Sequence, residues 1–176
     1  MKRQSGIYIV PTDRWYIERT VWLIAGFVLL GSTALAVFVN PLFIGFVLAT
    51  GLASIVVSLT GFCIVGNALK LLGFKGLLEE PGKKLYFMRT DSWYLERRIY
   101  TTVGINISIA SVLVLVHSIW WAAFTGFVGV AMVWFSATGF CILANALYWA
   151  GCEPRLAPKG KPSRTVGSPS PPTSDC

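Results

Sequence analysis

Asp13-Arg14-Trp15-Tyr16-Ile17-Glu18-Arg19 is a stretch that the chain writes twice, returning 78 positions later as Asp91-Ser92-Trp93-Tyr94-Leu95-Glu96-Arg97. The same shift, without a gap, lays Thr60-Gly61-Phe62-Cys63-Ile64 on Thr138-Gly139-Phe140-Cys141-Ile142, Asn67-Ala68-Leu69 on Asn145-Ala146-Leu147, and Gly73 on Gly151. A fixed internal period of this kind reads as a tandem duplication of one supersecondary unit. The copies are residues 7–73 and 85–151. Their identities gather at the two ends, while the apolar middles keep little more than their class. The ends carry what is particular to the unit, and the candidate functional residues come from them: Asp13, Trp15, Glu18, Arg19, Cys63 and Asn67, with Asp91, Trp93, Glu96, Arg97, Cys141 and Asn145 as their counterparts.

Outward from each motif runs a charge-free stretch of about 50 residues, Thr20–Leu69 and Ile99–Cys152. One membrane span needs about 20 apolar residues to cross a hydrocarbon core about 30 Å thick, so each stretch holds two spans and a turn. The turns fall at Asn40-Pro41 and at His117-Ser118. This divides the chain into a first hairpin, 1–73, with spans near 20–39 and 42–65, and a linker, 74–84. A second hairpin, 85–151, has spans near 99–117 and 121–145, and a Pro/Ser-rich basic tail, 152–176, is too poor in large apolar side chains to order itself. A cleaved signal peptide is the competing reading of the first span, since Lys2 and Arg3 precede it and Ala34-Leu35-Ala36 lies within it. Its internal counterpart, 99–117, cannot be a signal, and an uncleaved span accounts for both copies.

The expected fold is therefore an all-α membrane protein: four transmembrane helices arranged as two tandem helical hairpins that enter the membrane in the same direction, related by a pseudo-two-fold axis along the membrane normal. All 15 Lys and Arg fall outside the spans and on one side of them, so the positive-inside rule places both termini and the middle loop in the cytoplasm. The excess of basic over acidic residues, 15 against 8, is explained by that orientation; no nucleic-acid reading motif accompanies it. Membrane lipids are the first partner implied.

Each Trp-Tyr-x-Glu-Arg stretch reads as a helical lead-in at the membrane–water boundary, with Thr12 or Asp13 and Thr90 or Asp91 as N-caps. Glu18, Arg19, Glu96 and Arg97 are read either as ion pairs across the pseudo-axis or as solvated anchors. The β-prone runs 7–10 and 85–88 are expected to meet in a two-stranded ribbon. Small residues Gly45/Ala49/Ala53 and Ala122/Gly126 permit close helix contact. Asn106, with Val28 as its counterpart, is expected to bond between helices. Cys63 and Cys141 fall at the cytoplasmic boundary, as packing residues or as thiols handling sulfur. No Asp, Glu, Lys or Arg lies inside a span, no metal-ligand spacing is present, and the single histidine, His117, excludes a bis-His haem within one chain. The sequence implies no cofactor and no catalytic constellation.

With its acidic-then-basic lead-in and Thr-Gly-Phe-Cys near the end of the second span, each copy resembles the YgaP-like transmembrane domain, the membrane hairpin of rhodanese-linked bacterial inner-membrane proteins. In that family the hairpin dimerises beside a rhodanese domain; here the second hairpin stands in the place of the dimer partner. Many members follow the cysteine with proline, where this chain has Ile64 and Ile142. The resemblance implies a bacterial inner-membrane location and an accessory or scaffold role toward a partner protein or complex, with a sulfurtransferase as one such partner. The second reading is a small oligomeric transporter or channel for a sulfur species.

Overall fold

The computed structural model describes residues 6–80 and 82–156; Lys2, Arg3 and positions 157–176 of the basic tail lie outside the described residues. It has six helices and, among the described residues, no strand longer than an isolated bridge. They are α1 (Ile17–Phe38), α2 (Ile44–Thr60), α3 (Ile64–Leu71), α4 (Leu95–Val116), α5 (Ala122–Thr138) and α6 (Ile142–Trp149), with short 3-10 turns at Pro41–Phe43 and Ile119–Trp121. Every element of the first half recurs 78 residues later. Four of them, α1, α4, and α2 and α5 with their leading 3-10 turns, are long and apolar enough to cross a membrane, consistent with a multi-pass membrane protein. Their outward faces carry Phe27, Phe46, Phe127 and Trp134, all more than half exposed. Apolar surface on that scale is at home against lipid.

The helices begin and end for local reasons. Ile17 and Leu95 are the first helical residues, preceded by Tyr16 and Tyr94 in extended conformation without a side-chain cap. Capping by Thr12, Asp13, Thr90 or Asp91 is therefore not what the chain does. The free N–H groups of Ile17 and Leu95 are taken instead by the carbonyls of Lys75 (3.1 Å) and Glu153 (3.0 Å), from loops far along the sequence. At the other end of α1, Pro41 forbids continuation, and extended Asn40 accepts the Leu42 N–H at 2.9 Å to start the tight turn. Ser118 does the same for Trp120, and His117 accepts from the Trp121 indole N–H at 3.3 Å.

The second and fourth spans stop at Thr60 and Thr138, short of 65 and 145, because Gly61 and Gly139 adopt left-handed φ of 75° and 74°. Each closes its helix by donating to the carbonyl four residues back, 2.8 Å in both cases. After bridged Phe62 and Phe140, Cys63 and Cys141, themselves extended, open the short helices α3 and α6.

Packing crosses the repeat. α1 lies mainly along α5 and α2 along α4, so the first span of each copy rests on the second span of the other. The closest approaches are at Gly26 and Gly104: an added Cβ at Gly104 would lie 2.8 Å from the Gly51 carbonyl oxygen, and one at Gly26 would lie 3.1 Å from that of Gly129. The expected stripes do not make these contacts. Gly45, Ala49 and Ala53 are exposed, Gly45 has nothing within 4 Å of a Cβ, and Gly126 has only the Thr33 methyl at 3.7 Å. Between helices in lipid, where burial of apolar surface gains little, such backbone proximity and its van der Waals contacts supply the attraction. A buried Thr33–Thr125 hydroxyl pair at 2.9 Å adds a hydrogen bond between α1 and α5. Asn106 makes no interhelical bond; it is exposed on α4 and donates to the Thr102 carbonyl of its own helix at 2.7 Å.

The runs at 7–10 and 85–88 do not pair with one another either. Ile9 bridges Phe140 and Phe87 bridges Phe62, so each run joins the Gly-Phe-Cys segment of the other copy. The bonds are Val10 N–H to Gly139 O (3.0 Å) and Met88 N–H to Gly61 O (2.8 Å). An antiparallel partner was needed, and the extended two-residue break after each span provides it.

Candidate functional site

The motif residues come together in two clusters at the ends of α1 and α4. Glu18 is 1% exposed and Glu96 5%, so neither is a solvated anchor. The Glu18 carboxylate accepts from the Leu77 and Leu78 backbone N–H groups (3.1 and 2.6 Å) and from the Tyr86 hydroxyl (3.1 Å). The Glu96 carboxylate accepts from the Arg155 and Leu156 N–H groups (3.1 and 2.8 Å) and the Tyr8 hydroxyl (2.7 Å). A buried carboxylate is tolerable only with such a set of donors, and its place in the first turn puts it at the positive end of the helix dipole.

Residues 75–78 and 152–156 thus belong to the folded ends of the two copies rather than to a linker and a tail; Cys152 and Leu156 are buried. The repeat extends five residues beyond Gly73 and Gly151.

Tyr8 and Tyr86 tie each cluster to the other copy. Burial first, and then the neighbouring Glu96 or Glu18, push both phenols well above their ordinary range, which keeps the hydroxyl protonated as a donor. Their backbones are held by the candidate asparagines. Asn145 accepts from Tyr8 N–H (2.7 Å) and donates to Tyr8 O (3.0 Å) and Cys141 O (2.9 Å). Asn67 does the same with Tyr86 (2.8 and 3.0 Å) and Cys63 O (2.8 Å). The carboxamide substitutes for a strand, offering a donor and an acceptor to one extended residue.

Arg19 and Arg97 are also buried, and neither pairs with a glutamate. Among the described residues the ion pairs are Lys70–Glu79, Lys83–Glu80 and Arg155–Asp91. Arg19 Nε donates to Ser136 O (2.6 Å) and Arg97 Nε to Ser58 O (2.5 Å), near the C-terminal ends of α5 and α2 in the opposite copies. Their Nη1 groups reach Thr12 and Arg14 carbonyls, or Thr90 and Ser92 carbonyls, at 3.0 to 3.2 Å. The guanidinium planes lie 4.0 Å over Trp15 and 4.1 Å over Trp93. Each arginine is a C-terminal helix cap placed by the partner copy, complementing the negative end of that helix. Ion pairing across an axis is replaced by charge-to-backbone bonding because loop N–H groups and helix carbonyls are the nearer partners.

Cys63 Sγ accepts from Gly66 N–H at 3.2 Å as the N-cap of α3, and Cys141 holds the equivalent place before α6 without a side-chain cap. Burial pushes both thiols up, against the pull of nearby backbone N–H groups. They sit in separate clusters, Cys63 near Tyr86 and Cys141 near Tyr8. Asp13 is exposed, whereas Asp91 bonds Arg155 at 2.7 Å, which holds its carboxyl below the usual range. Among the described residues no three His, Cys, Asp or Glu side chains converge to hold a metal ion. At the far end of the bundle an apolar groove of about 510 Å³ opens between α1 and α5, lined by Leu30, Val37, Trp120 and Gly126.

Sequence reasoning missed Tyr8, Tyr86, Ser58, Ser136 and the pairs Gly26/Gly104 and Gly51/Gly129. The signal was present: all are identical between copies, in segments where their neighbours differ. No family model, curated protein or solved structure matches this chain.

Proposed function

We propose that the chain is a non-catalytic integral membrane scaffold: a duplicated helical hairpin fused into one four-span unit, with a rigid polar face at one membrane boundary that holds or assists a partner protein. The observation that carries this reading is reciprocity. Glu18 bonds Tyr86 of the other copy and Glu96 bonds Tyr8; Arg19 caps α5 and Arg97 caps α2. The buried charges of both motifs are engaged in holding the two copies together, which is the work of a frame. Trp22 and Tyr100, equivalent positions 78 apart, have ring centroids 4.6 Å apart, which supports a pseudo-two-fold axis along the membrane normal and entry of both copies into the membrane in the same direction.

The clustered ends carry exposed Arg14, Lys75, Lys83 and Lys84, and this one-sided charge supports a cytoplasmic location for the clusters and both termini, in an inner membrane of bacterial type. Leu71 and Leu72, 88% and 75% exposed next to these lysines, suit the headgroup boundary of anionic lipid. On the resemblance to YgaP-like domains, a sulfurtransferase is the first partner to test.

Purification from its own membrane in mild detergent, followed by mass spectrometry, tests the proposal. A stoichiometric partner is expected, lost when Arg14, Lys75 and Lys84 are changed to Glu while helicity is kept. Recovery of the chain alone, or sulfide flux through vesicles containing only this protein, overturns it.

A further inference from the structure

Asn106 is the anomaly in the outward face of the bundle. It stands 11 residues into α4, about 16 Å along the helix axis and therefore close to the middle of a hydrocarbon core about 30 Å thick. It is exposed, and among the described residues its side chain makes one hydrogen bond, from Nδ2 to Thr102 O. The carbonyl oxygen and the second N–H face a region where lipid tails offer neither donor nor acceptor. The face around it is patterned. Thr102, Asn106, Ile109, Leu113 and Val116 follow one another at alternating steps of four and three, the 3.5-residue spacing of a helix seam that supercoils on a neighbour. Ile109 is 55% exposed and Val116 80%, while Thr102 and Leu113 are half-buried, so the outer edge of this seam is uncovered within the chain. The corresponding line on α1, Ile24, Val28, Gly31, Leu35 and Phe38, has no polar side chain.

We infer that α4 pairs with α4 of a second copy of this chain, with Asn106 against Asn106 at the centre of the seam. A carboxamide is its own complement: the oxygen of one accepts from the free N–H of the other, and a two-fold axis makes both bonds at once. Two copies inserted with the same topology present parallel α4 helices, so the axis lies along the membrane normal and the contact closes at a dimer. A single asparagine in an otherwise apolar seam also fixes register, because any slip strands both amides in lipid. The duplicated half lacks the residue, which leaves one such seam per chain and no route to a filament. This dimer is an additional contact and does not depend on the scaffold reading.

The test uses the full chain, labelled with donor or acceptor at its C-terminus and reconstituted in phosphatidylcholine–phosphatidylglycerol vesicles over a range of protein-to-lipid ratios. Energy transfer that persists on dilution and is competed by unlabelled chain is expected for the wild type. Asn106→Leu is expected to weaken association roughly 5- to 30-fold, the equivalent of about 1–2 kcal/mol, with thermal unfolding unchanged. Asn106→Gln, which keeps the carboxamide, is expected to retain most of the association. Ile109→Cys is expected to cross-link copies readily, and Phe127→Cys on α5 is not. A monomeric wild type, an Asn106→Leu protein that associates as well as the wild type, a Gln variant as weak as the Leu variant, or cross-linking at 127 and not at 109 overturns the inference. So does an Asn106→Leu effect confined to capture of a different membrane protein.

Discussion

The cluster around Glu18 and the cluster around Glu96 hold the same carboxylate with the same kinds of donor, two loop N–H groups and a tyrosine hydroxyl from the other copy, yet they differ just outside that shell. Around Glu96, Arg155 reaches Asp91 and lies 4.5 Å over Tyr94. Around Glu18 the position of Arg155 is held by Leu77, and Asp13 is left in solvent, while Lys70–Glu79 and Lys83–Glu80 decorate the neighbouring loop. What is common to both is buried and would leave a stranded polar group if removed. What differs is at least partly open to solvent and replaceable. Divergence between the copies has followed the cost of an unsatisfied group.

The strongest way to break this comparison is to delete the carboxylates one at a time. Glu18→Ala and Glu96→Ala each strand two backbone donors and a phenol, and each should cost about 3–5 kcal/mol in thermal or denaturant unfolding in detergent. The two values should agree within about 1 kcal/mol, because the surrounding differences are weak. A much smaller loss for Glu18 would mean that Arg155 and Asp91, and not the shared shell, hold the second cluster. Tyr8→Phe and Tyr86→Phe probe the same shell more gently, removing one bond to a charged acceptor, and should cost about 1.5–3 kcal/mol each by the same measurement.

The glycines come next. A Cβ at Gly61 would collide with the Met88 carbonyl oxygen and one at Gly139 with that of Val10, and both residues have positive φ. Gly61→Ala and Gly139→Ala should therefore each lose at least about 1–2 kcal/mol from the backbone conformation alone. Loosening should show as faster amide exchange in the opposite copy, at Met88 or Val10, whose N–H groups bond across.

These residues also mark where the sequence was legible. Four spans and their turns follow from charge-free length and from Pro41, features that no tertiary partner can reverse. At Gly61 and Gly139 nothing local says that an extended segment from the far copy will lie against them. The glutamates and arginines read as boundary residues for the same reason: the Leu77–Leu78 and Arg155–Leu156 loops fold back over Glu18 and Glu96, and a pattern within seven residues does not contain a partner 60 residues away. The N-caps failed similarly, since the Lys75 and Glu153 carbonyls had already taken the free N–H groups. Identity between the copies was the better guide. It sets apart Tyr8 and Tyr86, which the motif reading passed over, inside runs where Ile7, Ile9 and Val10 become Leu85, Phe87 and Met88.

A smaller effect is expected at the cysteines. Burial disfavours the thiolate at both, so alkylation by a maleimide should be slow at neutral pH and should accelerate only above the ordinary thiol range, near pH 8.5. Cys63→Ser and Cys141→Ser should change stability by less than about 1 kcal/mol, since serine can take over the N-cap acceptor role of Cys63 and Cys141 has no such bond to lose. Rapid labelling at pH 7 would show activated thiols and favour the sulfur-handling reading.

The smallest effect separates the two clusters most cleanly. Arg155→Leu gives the second cluster the residue that the first has at Leu77, removing the bond to Asp91 but leaving the Arg155 backbone N–H that serves Glu96. The Asp91 side chain is 62% exposed, so solvent screens the pair and the loss should be below about 1 kcal/mol. Its sign with pH is fixed by linkage. Arg155 lowers the Asp91 pKa in the folded state, so the pair stabilises above the unfolded aspartate value, near pH 4, and that stabilisation disappears as pH falls through the lower folded value. Wild type and Arg155→Leu should therefore differ slightly at pH 6 and converge in acid, and raising salt at pH 6 should narrow the gap as well. A difference that survives both acid and high salt would instead place the contribution of Arg155 in its packing against Tyr94.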